Sequence, residues 1–245
     1  MPHLRSFDRR VNALVVGSTG AIGRALTMHL LDEPNIGHVI SWSRKQLNLK
    51  HTKLTSRSVD ITDEPSIAAA VAGTSALNLI IVATGLLHDG ASLQPEKTWQ
   101  SLNGAALMRS FAVNAIGPAL VAKHTLPLFP REGRAIFVAL SARVGSISDN
   151  RLGGWYGYRA SKAALNQLIR TLSIELARKR KQAICVGLHP GTVDSELSRP
   201  FQGAVADGQL SDPDLAACRL LSVIDQLKPG DSGRLIAWDG TTVAA

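Results

Sequence analysis

The sequence predicts an α/β fold: one domain built on a doubly wound parallel sheet of about seven strands, with helices on both faces. Three observations predict it. Short apolar runs rich in β-branched residues alternate with longer helical patterns along the 245 residues. Most of these runs are apolar throughout rather than alternating, as in strands covered on both faces. No Pro/Gly/Ser linker, internal repeat or low-complexity stretch divides the chain, and α/β folds reach ~250 residues as one domain.

The elements follow in order. Val11–Val16 (VNALVV) is a buried strand, and Ala21–Leu31 a helix. His38–Trp42 and Arg57–Asp60 are the second and third strands. Asp63–Ala72 is a helix, with acids at its start and Pro65 in the first turn. Leu77–Val82 is the fourth strand, and a long helical region covers Gly104–Leu128. Ala135–Leu140 (AIFVAL) is the fifth strand, Trp155–Lys179 a helix, and Ala183–Leu188 (AICVGL) the sixth strand. Asp212–Leu227 is helical, and Arg234–Trp238 is the last strand. Such a sheet binds ligands at the carboxyl ends of its strands.

Composition excludes several classes. Two cysteines, Cys185 and Cys218, make neither a disulfide framework nor a four-ligand zinc site. His51 and His124 lack metal-ligand spacing, so no metal is expected. No apolar run approaches the ~18 residues of a membrane helix, and glycines interrupt the first apolar stretch where a signal peptide would continue. A cytoplasmic protein without membrane partners is expected. The net charge of +8 invites a nucleic-acid reading, but aromatic residues are only 4%, too few for base-stacking platforms. The densest basic run, Arg178–Lys181, closes a helix, where cations complement the dipole in a solvated end.

Between the first strand and first helix stands Gly17-Ser18-Thr19-Gly20-Ala21-Ile22-Gly23. Glycine permits a tight turn and close approach of a phosphate, and the helix N-terminus behind it offers free N–H groups. The spacing is G-x-x-G-x-x-G, and no Gly-Lys-Ser/Thr makes it a Walker loop. Near the end of the second strand an acid would bind the adenosine ribose of NAD. Here the stretch is Ile40-Ser41-Trp42-Ser43-Arg44-Lys45, without an acid. Ser43 and Arg44 suit a 2′-phosphate instead, which favours NADP(H) over NAD(H).

Tyr158 and Lys162 open a long helix with a spacing of four, which puts them on one face. A phenol of pKa ~10 is a poor base at neutral pH. A neighbouring ammonium favours the phenolate and is expected to lower that pKa. Ser141 follows the fifth strand, Asn114 sits in the preceding helix, and Pro190-Gly191-Thr192-Val193 follows the sixth strand. In this order, and over nearly the whole chain, the sequence resembles the short-chain dehydrogenase/reductase family, a Rossmann-type fold. The segment from Gly145 through Gly153-Gly154-Trp155 to Tyr158 resembles its C-factor-like branch.

The resemblance implies roles. Tyr158 is the general acid/base, and Lys162 lowers its pKa and holds the nicotinamide ribose. Ser141 holds the substrate oxygen, and Asn114 holds a water in a proton relay. Asp60 and Ile61 match the adenine-binding pair, Ala83-Thr84-Gly85 the segment after the fourth strand, and Pro190 to Val193 the wall beside the nicotinamide carboxamide. It also implies a homodimer or homotetramer. Three departures stand out. The glycine turn has two residues between its first two glycines, where ordinary members have three. Thr84 and Val82 replace small and polar residues. Ser141 and Tyr158 are 17 positions apart, against 13 in ordinary members. The surplus reads as a loop insertion at 148–152; otherwise Ser146 or Ser148 supplies the hydroxyl.

Other residues read more plainly. Tyr156 has Ala160 at i+4 and cannot form the same pair; with Trp155 it packs or lines the substrate mouth. His189 is expected to make a structural hydrogen bond, and His88-Asp89 to form a solvated turn or touch substrate. Residues 194–212 suggest a mobile substrate flap. Together these predict an NADP(H)-dependent oxidoreductase acting on a carbonyl/alcohol substrate. The alternative is a dinucleotide-binding regulatory protein of C-factor type with little turnover.

Overall fold

The computed structural model describes residues 4–90, 92–206 and 208–245. The elements are β1 (Val11–Val16), α1 (Ala21–Asp32), β2 (Ile36–Ser43), β3 (Leu54–Ser58), α2 (Glu64–Val71), β4 (Leu79–Val82), α3 (Gly104–Phe111), α4 (Gly117–Thr125), β5 (Ala135–Leu140), α5 (Tyr156–Lys179), β6 (Ala183–His189), β7 (Thr192–Val193), β8 (Leu210–Ser211), α6 (Pro213–Gln226), β9 (Leu235–Ala237) and β10 (Thr242–Val243). The main sheet runs β3-β2-β1-β4-β5-β6-β9-β10, parallel except for the last pair. Strand order reverses between β1 and β4, which opens a crevice at their carboxyl ends.

Side-chain alternation along each strand feeds two apolar layers. Ala13, Val15 and Ile81 pack with Leu26, Leu30, Leu220 and Ile224 of α1 and α6. Leu14, Val16, Ile80 and Phe137 face the other way, toward Ile67, Val121, Leu165 and Ile169 of α2, α4 and α5. A fully buried Leu, Ile or Val contributes about 1.5–3 kcal/mol, so each strand is anchored from both sides.

Five features differ from expectation. The sheet has eight strands; β10 is only two residues long and pairs back onto β9. The third strand lies at Leu54–Ser58, because beyond it Asp60 turns the chain by accepting the Thr62 N–H (2.8 Å) and hydroxyl (2.7 Å). The segment 194–212, of which residue 207 lies outside the described residues, is tethered at its base by β7–β8 pairing and carries a short 3-10 turn at Arg199–Ala204. Arg180 is no solvated helix end; its guanidinium donates to the carbonyls of Pro127, Phe129 and Pro130. Finally, α3 and α4 form one rod of 25 residues, Gly104–Leu128, long and apolar enough by length and composition to cross a bilayer. In this fold the rod packs on α2 and α5. A π turn at Ala112–Ile116 interrupts it, with the Gly117 N–H reaching back five residues to the Ala112 carbonyl. Such turns collect at functional sites, and Asn114 lies inside this one.

Candidate active site

The Gly17–Gly23 turn sits at the carboxyl end of β1. Gly17 is left-handed (φ 85°) and is held by its N–H on the Trp42 carbonyl at 2.7 Å. A Cβ on Gly23 would fall 2.2 Å from the Gly17 carbonyl oxygen, so this glycine seats α1 against the turn. Gly20 caps α1 without a side-chain hydrogen bond, and a Cβ there would meet only the Gly17 oxygen, at 3.4 Å. Thr19 is exposed beside it and Ile22 is half-buried. Ser18 is buried and its hydroxyl points at Ser43 (3.3 Å), whose own hydroxyl donates to the Lys45 carbonyl (2.5 Å). The side chains of both serines are therefore engaged beneath the groove rather than projecting from it.

At the far end of the crevice Arg44 is exposed and close enough to Asp60 to help hold that carboxyl below its usual range, after the two bonds from Thr62. Ile61 is buried in the core, and a Cβ on Gly117 would come 2.7 Å from its Cδ1. It can offer a ligand only its backbone. Ala83 and Thr84 line the floor beside Gly17, and the Thr84 hydroxyl is buried without a hydrogen-bond partner among the described residues. The residues fit a dinucleotide: an uncapped helix N-terminus, an open glycine at its head, an orphaned buried hydroxyl, and an arginine where a ribose-binding acid would stand.

The second half of the site hangs on α5. Lys162 is buried and its Nζ donates to the Leu140 carbonyl at 2.8 Å. It lies 5.8 Å from the centroid of the Tyr158 ring. Burial pushes the phenol up to about 12 and the ammonium down to about 8. The expected lowering of the phenol pKa is thus absent in this arrangement. The lysine's hydrogen bond goes to a carbonyl, so desolvation dominates both groups. Asn114 is fully buried. Its Oδ1 accepts the Leu86 N–H (2.8 Å), and its Nδ2 donates to the Leu86 carbonyl (2.8 Å) and to Ser161 (3.1 Å). Its two side-chain donors thus clamp the loop after β4 and the start of α5. Gly85 closes the set: a Cβ there would lie 3.9 Å from both Asn114 Oδ1 and Lys162 Nζ.

Ser141 is buried at the end of β5; its N–H donates to Leu188 and its hydroxyl to Asn166 Oδ1 at 2.7 Å. Ser146 and Ser148 instead turn to the Ala245 carbonyl. The insertion bulges outward, with Ile147 and Leu152 exposed, while Gly145 presses on Lys162 so closely that a Cβ would come within 2.8 Å of it. Gly191 (φ 78°) stacks under the Trp238 ring, and Thr192–Val193 forms β7.

Over Tyr158 lies an aromatic roof. Gly153, Gly154 and Trp155 are all left-handed, and Trp155 is the one non-glycine with positive φ among the described residues. Its ring lies 5.0 Å from Phe201 and 6.3 Å from Tyr158. His88 touches Phe201 at 5.7 Å and bonds the Glu196 carbonyl, while Asp89 pairs with Arg109. His88 therefore tethers 194–212, while Asp89 stays exposed at a solvated turn. The Nδ1 of His189 is buried without a partner among the described residues, so the structural bond expected of it is missing there at that atom.

A sequence model described as short chain dehydrogenase matches residues 11–204. The chain belongs to the short-chain dehydrogenase family. It is an oxidoreductase acting on the CH–OH/C=O pair. The C-signal of Myxococcus xanthus is 39% identical over 140 residues, 57% of this chain and 78% of that protein. The 1-hydroxy-2-glutathionyl-2-methyl-3-butene dehydrogenase of Rhodococcus sp. (strain AD45) is 32% identical over 183 residues, 75% of this chain and 76% of that one. Among solved structures, the NADPH-bound carbonyl reductase from chicken fatty liver superposes with a TM-score of 0.85 at 27% identity, over 98% of this chain and 97% of that one.

Sequence reasoning missed several residues of this dehydrogenase site. Glu96 is buried, and its carboxylate accepts the Gly157 N–H (3.1 Å), which caps α5 from a distant loop. Leu197 and Phe201 come from an irregular segment with no periodicity to read. Asn166 did carry a signal: it follows Lys162 by four residues, on the same helical stripe.

Proposed function

We propose that the chain is an NADPH-dependent carbonyl reductase that works through Ser141, Tyr158 and Lys162. The observation that carries the reading is the convergence of the buried Lys162 Nζ and Asn114 Oδ1 on Gly85, with Tyr158 one helical turn away. Bound NADPH would supply a hydride to the carbonyl carbon. Its pyrophosphate would rest on the Gly17–Gly23 turn, its 2′-phosphate on Arg44, with Thr84, Gly85 and Pro190 to Val193 along the nicotinamide half. A phenol with a pKa near 12 is protonated at neutral pH, the state needed to donate to a carbonyl oxygen. Lys162, still charged at neutral pH, stabilises the negative charge that grows on the phenol oxygen as its proton leaves. Ser141 holds the substrate oxygen. Trp155, Leu197 and Phe201 exclude water, with 194–212 acting as the substrate flap.

Aldehydes, ketones and quinones assayed with NADPH test the reading; it fails if none is reduced by a protein that binds NADPH. That same outcome would favour a second reading, a dinucleotide-binding regulatory protein, to which the similarity to the C-signal points.

Two further results are expected. Arg44→Ala weakens NADPH binding about 10- to 100-fold, the worth of a charge-assisted pair, and leaves NADH binding unchanged; equal losses for both would remove the 2′-phosphate assignment. The pH profile of kcat/KM for reduction is flat below pH 8 and falls above it. Lys162 loses its proton near pH 8, and the charge that favours proton departure from Tyr158 goes with it. A profile flat through pH 9.5 would exclude this role.

A further inference from the structure

We infer that Asn166 is a positioning residue for Ser141, setting which way the serine hydroxyl presents its proton and lone pairs to the substrate oxygen. The inference rests on the reductase reading above. Ser141 is buried, and among the described residues its hydroxyl makes one hydrogen bond, 2.7 Å to Asn166 Oδ1. A serine hydroxyl has a single proton and two lone pairs. With the proton on Asn166, its lone pairs are left for a donor such as the hydroxyl of an alcohol. A carbonyl oxygen needs the reverse: the serine must donate. The Asn166 amide meets both demands, because a half-turn about its last bond brings Nδ2–H in place of Oδ1. The serine then accepts from Asn166 and donates into the site.

Position supports the assignment. Asn166 lies two helical turns from Tyr158 and one from Lys162, on the same stripe of α5. Asparagine inside a helix is less favourable than alanine, and here the amide is directed at the reacting end of β5. The alternative hydroxyls, Ser146 and Ser148, are occupied by the Ala245 carbonyl.

The test is a double-mutant cycle, run at high enzyme concentration so that weak variants remain measurable. Asn166→Ala should lower kcat for carbonyl reduction about tenfold, the worth of one oriented hydrogen bond, with the KM for NADPH and the melting temperature unchanged. In a Ser141→Ala background the same change should cost nothing further. Asn166→Asp keeps the shape and adds a titration. Its neutral carboxylic acid can donate or accept like the amide, so activity should rise toward wild type as the pH is lowered through that acid's pKa. Its carboxylate only accepts, so activity should fall tenfold or more by pH 8. Wild-type kcat in Asn166→Ala or in Asn166→Asp at pH 8, or an equal loss in the Ser141→Ala background, would overturn the inference while leaving the reductase reading intact. Full activity in Ser141→Ala would overturn both.

Discussion

Tyr158→Phe is expected to lower turnover by about 10³-fold, within the range that general acid catalysis supplies. The change deletes one oxygen. No hydrogen bond joins that oxygen to a described residue, and the ring's contacts with Trp155 and Lys162 are made by carbon. Melting temperature and NADPH affinity should therefore stay near wild type, so the loss falls on proton transfer alone. The measurement is single-turnover NADPH oxidation with a carbonyl substrate, alongside a binding titration. Turnover within a few-fold of wild type would remove Tyr158 from the chemistry, whatever the fold.

The second large effect is expected at Gly23→Ala. Alanine is the better helix former by about 1 kcal/mol, so the change should help α1 if only propensity counted. The new methyl, however, would sit 2.2 Å from the Gly17 oxygen, 2.8 Å from its carbon and 3.2 Å from Ser18 Cα, all backbone atoms. None of these can swing aside, so α1 must withdraw from the turn. A loss of about 1–3 kcal/mol of stability is expected from the overpacking, with NADPH affinity falling at least 100-fold because the helix N-terminus moves with it. Gly20→Ala is the control. Its φ of −73° suits alanine and its methyl meets only one atom at ordinary contact distance. It should leave the melting temperature unchanged and weaken dinucleotide binding alone, since its methyl points into the groove. Thermal unfolding and a fluorescence titration of both variants separate the two cases; an unchanged Gly23→Ala would show that the close approach at this turn is not required.

How much was legible follows from where the signals lay. Val11–Val16 and Ala135–Leu140 are apolar runs bounded by turn chemistry, and the structure keeps both boundaries. Thr242–Val243 has no signal of its own, because a two-residue strand exists only through its pairing with β9. The spacing of Tyr158 and Lys162 put them on one helical stripe, and they are there. Spacing says nothing of where a flexible lysine aims its ammonium, and the Leu140 carbonyl took it. Burial of the phenol then turned its shift upward instead of down. Trp155 could be read as lining the mouth but not as left-handed, since a bulky side chain rarely adopts positive φ. Glu96 is joined to α5 across 61 positions, a distance that no local pattern spans.

The π turn at Ala112–Ile116 reaches further than its five residues. One residue more than an α-helical turn requires shifts the angular phase of everything on one side of it by about 100° relative to the other. The two halves of the rod can thus answer to different neighbours, α4 toward α2 and α3 toward the front of α5. Asn114 stands at the step between them. Deleting a single residue there would leave a smoother cylinder of nearly the same length and the same apolar character, yet it would rotate α3 against its neighbours and draw the amide off Leu86 and Ser161. The helix would survive, and the alignment of the loop after β4 would not.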